Sequence, residues 1–172
     1  MSMTSATRPT RQPYVSVIGG YDVAPEVLAA AEEVGRGLAS SGAVVVTGGR
    51  GGVSEAASKG AFEAGGTTIG ILPGTDRSEA NPYLTVAVCT GIGLTRNALV
   101  AMNGDVVIAL DGAFGTLSEL AHALLAGTPV VGFGTWRLDR EPDSDRVEAE
   151  DPIVRVPTPA AAVEAALRAV GG

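Results

Sequence analysis

Short apolar runs alternate with longer amphipathic segments along most of the chain. The runs are rich in β-branched residues and end at Gly or Pro, which predicts strands, while the Ala-, Glu- and Leu-rich segments between them predict helices. Strands are predicted at residues 14–18, 43–47, 67–72, 84–88, 105–110 and 128–132, with a short one near 153–154. Helices are predicted at residues 25–40, 53–64, 93–102, 116–126 and 159–170.

The regular alternation of strand and helix predicts βαβ units around a mainly parallel sheet of about six or seven strands. Because the strands are apolar throughout, with little polar alternation, we expect helices on both faces of the sheet. The fold class is therefore α/β: a doubly wound, Rossmann-like, three-layer α/β/α domain over residues 14–172. Residues 1–13 lack the apolar region of a signal peptide and are predicted to be a disordered leader. In such folds ligands bind at the carboxyl ends of the strands.

Composition narrows the functional classes. Of the 172 residues 45% are hydrophobic, which is enough to build a core. The net charge of −7 and the 4% aromatic content argue against nucleic-acid binding. Part of this charge lies in the acidic segment 139–151, which fits no calcium loop and is expected to be solvated surface.

Two residues that occur only once restrict the chemistry further. Lys59 is the only lysine, which makes a pyridoxal enzyme a poor candidate. Cys89 is the only cysteine and follows an apolar run, so it is predicted to be a buried thiol in a reducing compartment. Without a signal peptide or a membrane-spanning run, we expect a cytoplasmic protein with no membrane partner.

A glycine-rich loop joins the second predicted strand to the second predicted helix and reads Thr47-Gly48-Gly49-Arg50-Gly51-Gly52-Val53-Ser54. Successive glycines let backbone N–H groups turn toward an anion, and the following helix adds its dipole. The loop is neither a Walker A loop nor a dinucleotide fingerprint. A tight turn is the alternative, but four glycines in five positions favour contact with an anion or nucleotide. The predicted ligand contacts are Gly48, Gly49, Arg50, Gly51 and Gly52, with Gly19 and Gly20 at the end of the first strand.

A second loop follows the most apolar strand and reads Asp111-Gly112-Ala113-Phe114-Gly115-Thr116-Leu117-Ser118-Glu119. Thr116 can cap the helix or donate to a phosphate, and Glu119 lies one turn later on nearly the same face. The same spacing fits a capping box, in which Glu119 returns to the backbone of Thr116. The predicted phosphate contacts here are Gly112, Ala113, Phe114, Gly115 and Thr116.

Arg96 lies near the start of the helix predicted at residues 93–102. A cation is unfavourable at that end of a helix dipole, which argues against a purely solubilising role. A guanidinium fork facing a phosphate or a carboxylate suits the position better.

Together these loops resemble those of the LONELY GUY (LOG) and molybdenum-cofactor-carrier group of Rossmann proteins, which are often mislabelled as lysine decarboxylases. The LOG hallmark is Pro-Gly-Gly-x-Gly-Thr-x-x-Glu, and its aligned stretch here keeps Gly112, Gly115, Thr116 and Glu119. The arginine of the family precedes the hallmark by fifteen residues and falls on Arg96. The match spans roughly residues 14–136.

The resemblance implies that Arg96 and Glu119 are the catalytic pair of a phosphoribohydrolase that cleaves a nucleoside 5′-monophosphate to free base and ribose 5-phosphate. A carboxylate near the ribose would stabilise the positive charge that develops there. The resemblance implies no required cofactor or metal. It also suggests a homodimer or higher homo-oligomer, with the Arg96 helix near the interface.

Several departures from the hallmark favour the carrier branch, which binds a phosphorylated pterin without turnover. Asp111 replaces the hallmark proline, which puts a negative charge near the phosphate cradle, and Ala113 replaces a glycine. Asn97 stands where a basic residue usually follows the family arginine. The segments 55–60 and 133–136 also resemble the carriers. The alternatives to a hydrolase are thus a non-catalytic molybdenum-cofactor carrier or nucleotide sensor and, more remotely, a DNA-processing Rossmann protein.

His122 follows Glu119 by three residues, a spacing found in metal sites of helical bundles. It is the only histidine, and the motif occurs once. We therefore expect His122 to pack or face solvent, and we predict no metal site.

Overall fold

The computed structural model describes residues 11–138 and 151–171 and contains seven strands in one all-parallel sheet. The strands are β1 (Tyr14–Gly19), β2 (Val44–Thr47), β3 (Thr68–Leu72), β4 (Val86–Cys89), β5 (Val106–Leu110), β6 (Val130–Phe133) and β7 (Ile153–Arg155). The α-helices are α1 (Pro25–Ser40), α2 (Val53–Glu63), α3 (Asn97–Met102), α4 (Phe114–Leu125) and α5 (Pro159–Val170). Two 3₁₀ turns cover Arg77–Glu79 and Gly93–Arg96. The predicted fold class is confirmed.

The strand order is β4-β3-β2-β1-β5-β6-β7, so the chain builds outward from β1 and then returns to the other side of it. The order therefore reverses between β1 and β5, which pair in parallel at the centre of the sheet. At such a reversal the loops leaving neighbouring strands diverge and open a crevice at their carboxyl ends.

Alternate residues of the central strands feed two separate cores. Val15 and Val17 pack with α1, α2 and α5 on one face, whereas Ile18 packs with α3 and α4 on the other. Both faces of the central strands are predominantly apolar for this reason, as the strand pattern predicted, and Ser16 of β1 is a buried polar exception.

Helices cover both faces of the sheet as predicted, but the coverage is incomplete at the edge strand β4. Val86 and Val88 of the edge strand β4 are 46% and 42% exposed, because α3 is too short to reach across them. Cys89, predicted to be buried, is only half-buried, because β4 is an edge strand.

Two helix boundaries differ from the prediction. The segment predicted as one helix over residues 93–102 begins as the 3₁₀ turn Gly93–Arg96 and becomes α-helical only at Asn97. The α4 helix begins at Phe114, two residues before its predicted start at Thr116.

Residues 1–10 of the predicted leader and residues 139–150 of the acidic segment lie outside the described residues. Just before β1, the Arg11 guanidinium lies 2.9 Å from the Asp105 carboxylate. Within the described ranges, no helix combines the length and apolarity that crossing a bilayer requires.

Helices α1 and α2 approach each other through two glycines. A Cβ atom added to Gly35 would lie 2.0 Å from the carbonyl oxygen of Ala57, and one added to Gly60 would lie 1.9 Å from that of Glu32. Because both obstacles are backbone atoms, no rotamer change can relieve them. This contact fixes α2, and with it the glycine-rich loop that precedes α2.

We expect Gly60→Ala to lower the free energy of unfolding by about 1–3 kcal/mol, the usual cost of overpacking. Gly37→Ala in α1 is the matched control, because its added methyl would meet only side-chain atoms, those of Val163 at 3.0 Å, and no backbone. Urea denaturation compares the two variants. Equal effects would contradict the role of Gly60 in the helix contact.

Candidate functional site

A cleft of about 220 Å³ opens at the carboxyl edge of the sheet, where the strand order reverses. Loops after β1, β2 and β5 and the turn before α3 form its walls. Of the predicted site residues, those in the lining are Gly19, Gly20, Arg50, Gly51, Arg96, Ala113, Gly115, Thr116 and Glu119. The fold thus brings together predicted residues from four separate segments of the sequence.

Arg96 and Glu119 form a buried ion pair in this cleft. The Nη1 atom of Arg96 donates to Oε1 of Glu119 at 3.3 Å, and their side chains are 11% and 9% exposed. Nε of Arg96 is buried without a hydrogen-bond partner among the described residues. The pair predicted from the resemblance is therefore in contact, and the cation in it retains unused donor capacity.

Two hydrogen bonds hold the segment that carries Arg96. Ser16 Oγ in β1 donates to the carbonyl of Val100 at 2.6 Å, which fixes α3 on the sheet. Asn97 Nδ2 donates to the carbonyl of Gly115 at 3.5 Å, linking α3 to the first turn of α4. The side chain of Asn97, buried in the lining, thus connects the elements that supply Arg96 and Glu119.

Burial dominates the electrostatics of the pair. Burial raises the pKa of Glu119 to about 7, although Arg96 acts to lower it. Burial also lowers the pKa of Arg96, and Arg50 adds to that effect while Glu119 opposes it. In both groups the neutral form is favoured more than usual, because the attraction between the two charges does not offset the free-energy cost of desolvating them. An anion entering the cleft would find a cation whose charge is only partly compensated.

The capping-box interpretation of Thr116 and Glu119 is wrong. The N-cap of α4 is Ala113, so Thr116 already lies inside the helix, and Glu119 pairs with Arg96 instead. Ala113 supplies no side-chain cap. The N–H groups of the first turn of α4 thus remain for ligand or solvent, and the helix dipole makes that end attractive to an anion.

Some glycines of the glycine-rich loop line the cleft, and others make room for neighbouring side chains. Gly51 lines the cleft, whereas Gly48 makes room for Arg96: a Cβ atom there would lie 2.9 Å from Nη1. Gly49, at φ +76°, packs on Leu72, where a Cβ atom would lie 2.9 Å from Cδ2.

The loop is held from outside by Asn81, which follows β3. Its amide group donates to the carbonyl of Arg50 at 3.1 Å, and its backbone N–H donates to that of Gly49 at 2.9 Å. Arg50 also lies 3.7 Å from the carboxylate of Glu79. Two loop carbonyls are therefore turned away from the ligand side and satisfied by one asparagine.

In the hallmark stretch, Gly112, Phe114 and Asp111 are among the residues outside the cleft lining. Gly112 has φ +116° and leaves room for Thr116, whose Cβ would lie 2.4 Å from an added methyl. Phe114 is 79% exposed and contacts the ring of Trp136 at 6.0 Å between centroids. Asp111 has a backbone φ of +50°.

That dihedral angle explains the departure from the hallmark. Proline is confined to φ near about −65° and has no N–H, so it fits neither the angle nor the bond from Asp111 N to the Phe133 carbonyl at 3.3 Å. Thr135 Oγ1 donates to the Asp111 carbonyl at 2.6 Å and ties this loop to the one after β6. Asp111 is not among the residues that line the cleft.

Sequence reasoning missed Tyr21, Ser54, Leu94 and Asn97, which also line the cleft. Tyr21 directly follows the predicted contacts Gly19 and Gly20, and Ser54 follows the predicted contact Gly52 by two residues. Leu94 and Asn97 flank Arg96. Proximity to predicted contacts was the available signal, but none of these residue types marks a site by itself.

A larger cavity of about 460 Å³ lies between α1 and α2 and includes Lys59. Lys59 Nζ donates to Glu32 at 3.0 Å, so its charge is already compensated. His122 in α4 is half-buried, and the described residues include no group of three or more side chains suited to hold a metal ion. Neither feature competes with the cleft at Arg96 as a site for an anion.

A sequence model described as the SLOG cluster4 family matches residues 12–163. The chain belongs to this family. The result confirms the resemblance to the LOG and molybdenum-cofactor-carrier group. It covers the cleft and all the strands and ends inside α5.

Proteins of several organisms resemble this SLOG cluster4 chain. The molybdenum cofactor binding protein of Rippkaea orientalis is 31% identical, with a TM-score of 0.81 over 95% of this chain and 99% of that one. The molybdenum cofactor carrier protein of Chlamydomonas reinhardtii is 33% identical, with a TM-score of 0.80 over 94% of this chain and 100% of that one. An uncharacterised protein of Archaeoglobus fulgidus is 36% identical over 67% of this chain and 76% of its own length.

The fold also extends to DNA processing protein A of Streptococcus pneumoniae, with a TM-score of 0.66 over 90% of this chain and 61% of that one. The two proteins are 22% identical, so this likeness concerns the fold alone.

Glu119 of this SLOG cluster4 protein should make folding pH-dependent. In the unfolded chain its pKa is the ordinary 4.5, so between pH 4.5 and 7 the unfolded state releases a proton that the folded state keeps. Stability is therefore lost as the pH rises through this window. We expect the stability of Glu119→Gln relative to wild type to increase by about 3 kcal/mol from pH 4.5 to pH 8.

Urea denaturation at a series of pH values measures this difference. Glu32→Gln is the control with the opposite sign, because hydrogen bonds from Lys59 and Arg36 lower the pKa of Glu32. A stability difference between wild type and Glu119→Gln that stays constant with pH would contradict the raised pKa.

Proposed function

We propose that this protein binds a phosphorylated, nucleotide-like ligand in the Arg96 cleft and carries it without turnover, the ligand being the molybdenum cofactor. The observation that carries the proposal is that one cleft is lined both by Arg96, a buried cation whose charge is only partly compensated, and by the uncapped amino end of α4. Both features attract an anion, and they reinforce each other in one cleft.

The volume of the cleft supports a small ligand. A volume of about 220 Å³ is small for a dinucleotide and suits a mononucleotide or a phosphorylated pterin. Two similar structures align over 95% and 94% of this chain, with TM-scores of 0.81 and 0.80. These two proteins are described as binding or carrying the molybdenum cofactor.

The state of Glu119 also fits a bound phosphate. With a pKa of about 7, a large fraction of this carboxyl is protonated at neutral pH. In that form it donates a hydrogen bond to a ligand oxygen and avoids repelling a phosphate. Arg96 supplies the charge and Glu119 the neutral donor, with no reacting group required.

The second candidate function is a nucleoside 5′-monophosphate phosphoribohydrolase. It is favoured by the contact between Arg96 and Glu119 at 3.3 Å, the pair that the LOG resemblance makes catalytic. Ionised Glu119 would stabilise positive charge on the ribose as the N-glycosidic bond breaks, and a water would supply the hydroxyl. Such activity should rise with pH through about 7, as Glu119 ionises.

Two measurements on the purified protein separate these functions. Pterin that copurifies is released, oxidised to its fluorescent form and counted per chain, and a panel of nucleoside 5′-monophosphates is chromatographed for free base. We expect bound pterin without base release, and a loss of about tenfold or more in pterin content for Arg96→Gln, since hydrogen bonds between charged groups are strong.

Arg36→Gln is the matched control, because Arg36 lies on α1 and pairs with Glu32 outside the cleft. Base release that is abolished in Glu119→Gln would instead establish the hydrolase. Absence of pterin, together with failure to bind any phosphorylated ligand, would contradict both functions.

We infer that nucleic acid is not the ligand, since the net charge is −7 and only 4% of the residues are aromatic. Single-stranded DNA added to the binding assays tests this directly. Specific binding that weakens with salt would overturn the inference.

We also propose a homodimer through the open sheet face near α3. Val86, Val88, Leu99 and other side chains line an apolar cavity of about 280 Å³ there, and Met102 is 58% exposed. Apolar patches of this kind mark association sites, and this one adjoins the segment that carries Arg96. We expect a dimer in light scattering and a monomer for Val88→Glu. A monomeric wild-type protein would contradict the proposal.

A further inference from the structure

Tyr21 is an exposed aromatic residue at the mouth of the cleft. It follows β1 by two residues, is 72% exposed, and lines the same cavity as Arg96 and Glu119. A tyrosine ring that remains this exposed adds little to the core. The fold nevertheless holds it in a defined place.

The glycine-rich loop is shaped around this ring. A Cβ atom on Gly51 would lie 2.9 Å from Cε2 and 3.1 Å from Cζ of Tyr21. One on Gly52, which has φ +68°, would lie 2.5 Å from the Tyr21 Cα atom and 2.4 Å from its carbonyl oxygen. Any side chain at these two positions would displace Tyr21, so the paired glycines serve the tyrosine as well as an anion.

Backbone hydrogen bonding fixes the two loops against each other. The N–H of Val53, the first residue of α2, donates to the carbonyl of Gly20 at 3.0 Å. The residue before Tyr21 is thereby attached to the helix that follows the glycine-rich loop. The backbone hydrogen bond at Gly20 and the close approach of Gly51 thus fix the position of Tyr21, although its ring does not pack in the core.

The cleft lining combines two kinds of group. Leu94, in the 3₁₀ turn that ends at Arg96, is 76% exposed and lines the cleft as Tyr21 does. Arg96 and the uncapped start of α4 supply the groups that attract an anion. A cleft with exposed apolar side chains and a buried cation matches a ligand that has a flat ring and a phosphate.

We propose that Tyr21 is a specificity-determining residue whose ring stacks on the planar heteroaromatic ring of the ligand, with Leu94 as a second apolar contact. The assignment rests on the proposed function, since it requires a phosphorylated ligand in this cleft. The aromatic face supplies the attraction, and the phenolic hydroxyl is not needed for it.

The test compares two probes by calorimetry: GMP, which has both ring and phosphate, and ribose 5-phosphate, which lacks the ring. Removing a stacking partner weakens binding of the ring-bearing probe by about tenfold or more. We therefore expect Tyr21→Ala to weaken GMP by that factor and to change ribose 5-phosphate by less than about twofold. Tyr21→Phe should bind GMP like wild type.

Tyr83→Ala is the matched control, because Tyr83 lines the separate cavity between α1 and α2. Equal weakening of both probes by Tyr21→Ala, or a Tyr21→Phe variant as weak as Tyr21→Ala, would overturn stacking. An unchanged GMP affinity in Tyr21→Ala would overturn it as well. A wild-type protein that binds neither probe would overturn the nucleotide-like ligand of the proposed function, and the assignment of Tyr21 with it.

Discussion

The buried contact between the guanidinium of Arg96 and the carboxyl of Glu119 constrains the whole carboxyl edge of the sheet. Each group loses its hydration there, and the attraction between them does not offset the cost of desolvation. The pKa of Glu119 is therefore raised and that of Arg96 is lowered, which favours the neutral form of each. Such a pair persists only where the surrounding structure holds it in place. Gly48 leaves room for the guanidinium, and Asn97 joins the two segments that carry the pair.

This arrangement gives the cleft its chemistry. A cation with unused donors, a carboxyl that is readily protonated and an uncapped helix start all favour an incoming phosphate. Arg96 and Glu119 are already desolvated in the folded protein, so a phosphate that binds Arg96 offsets part of a cost that folding has already incurred. The glycine-rich loop then serves two partners, since Gly48 accommodates Arg96 and Gly51 accommodates Tyr21.

Much of this was predictable from sequence because strand and helix periodicities are local signals. The apolar runs around Val17 and Ile108 predicted a sheet buried on both sides, and the resemblance to the LOG group implied that Arg96 and Glu119 act as a pair. The edge strand was not predictable in the same way. Val88 looks like a core residue in sequence, and only the length of α3 decides that it is exposed.

The remaining errors have similar causes. The start of α4 at Phe114 and the positive φ of Asp111 depend on contacts with the loop after β6, which is distant in sequence. Tyr21 and Leu94 carry no motif, and they became candidates only through the cavity they share with Arg96.

The central claim is that the cleft at Arg96 holds the phosphate of the ligand. A crystal structure of the protein with bound GMP tests it most directly. The account predicts phosphate density at the amino end of α4, within hydrogen-bonding distance of Arg96. Phosphate density at Lys59, in the larger cavity between α1 and α2, would contradict it.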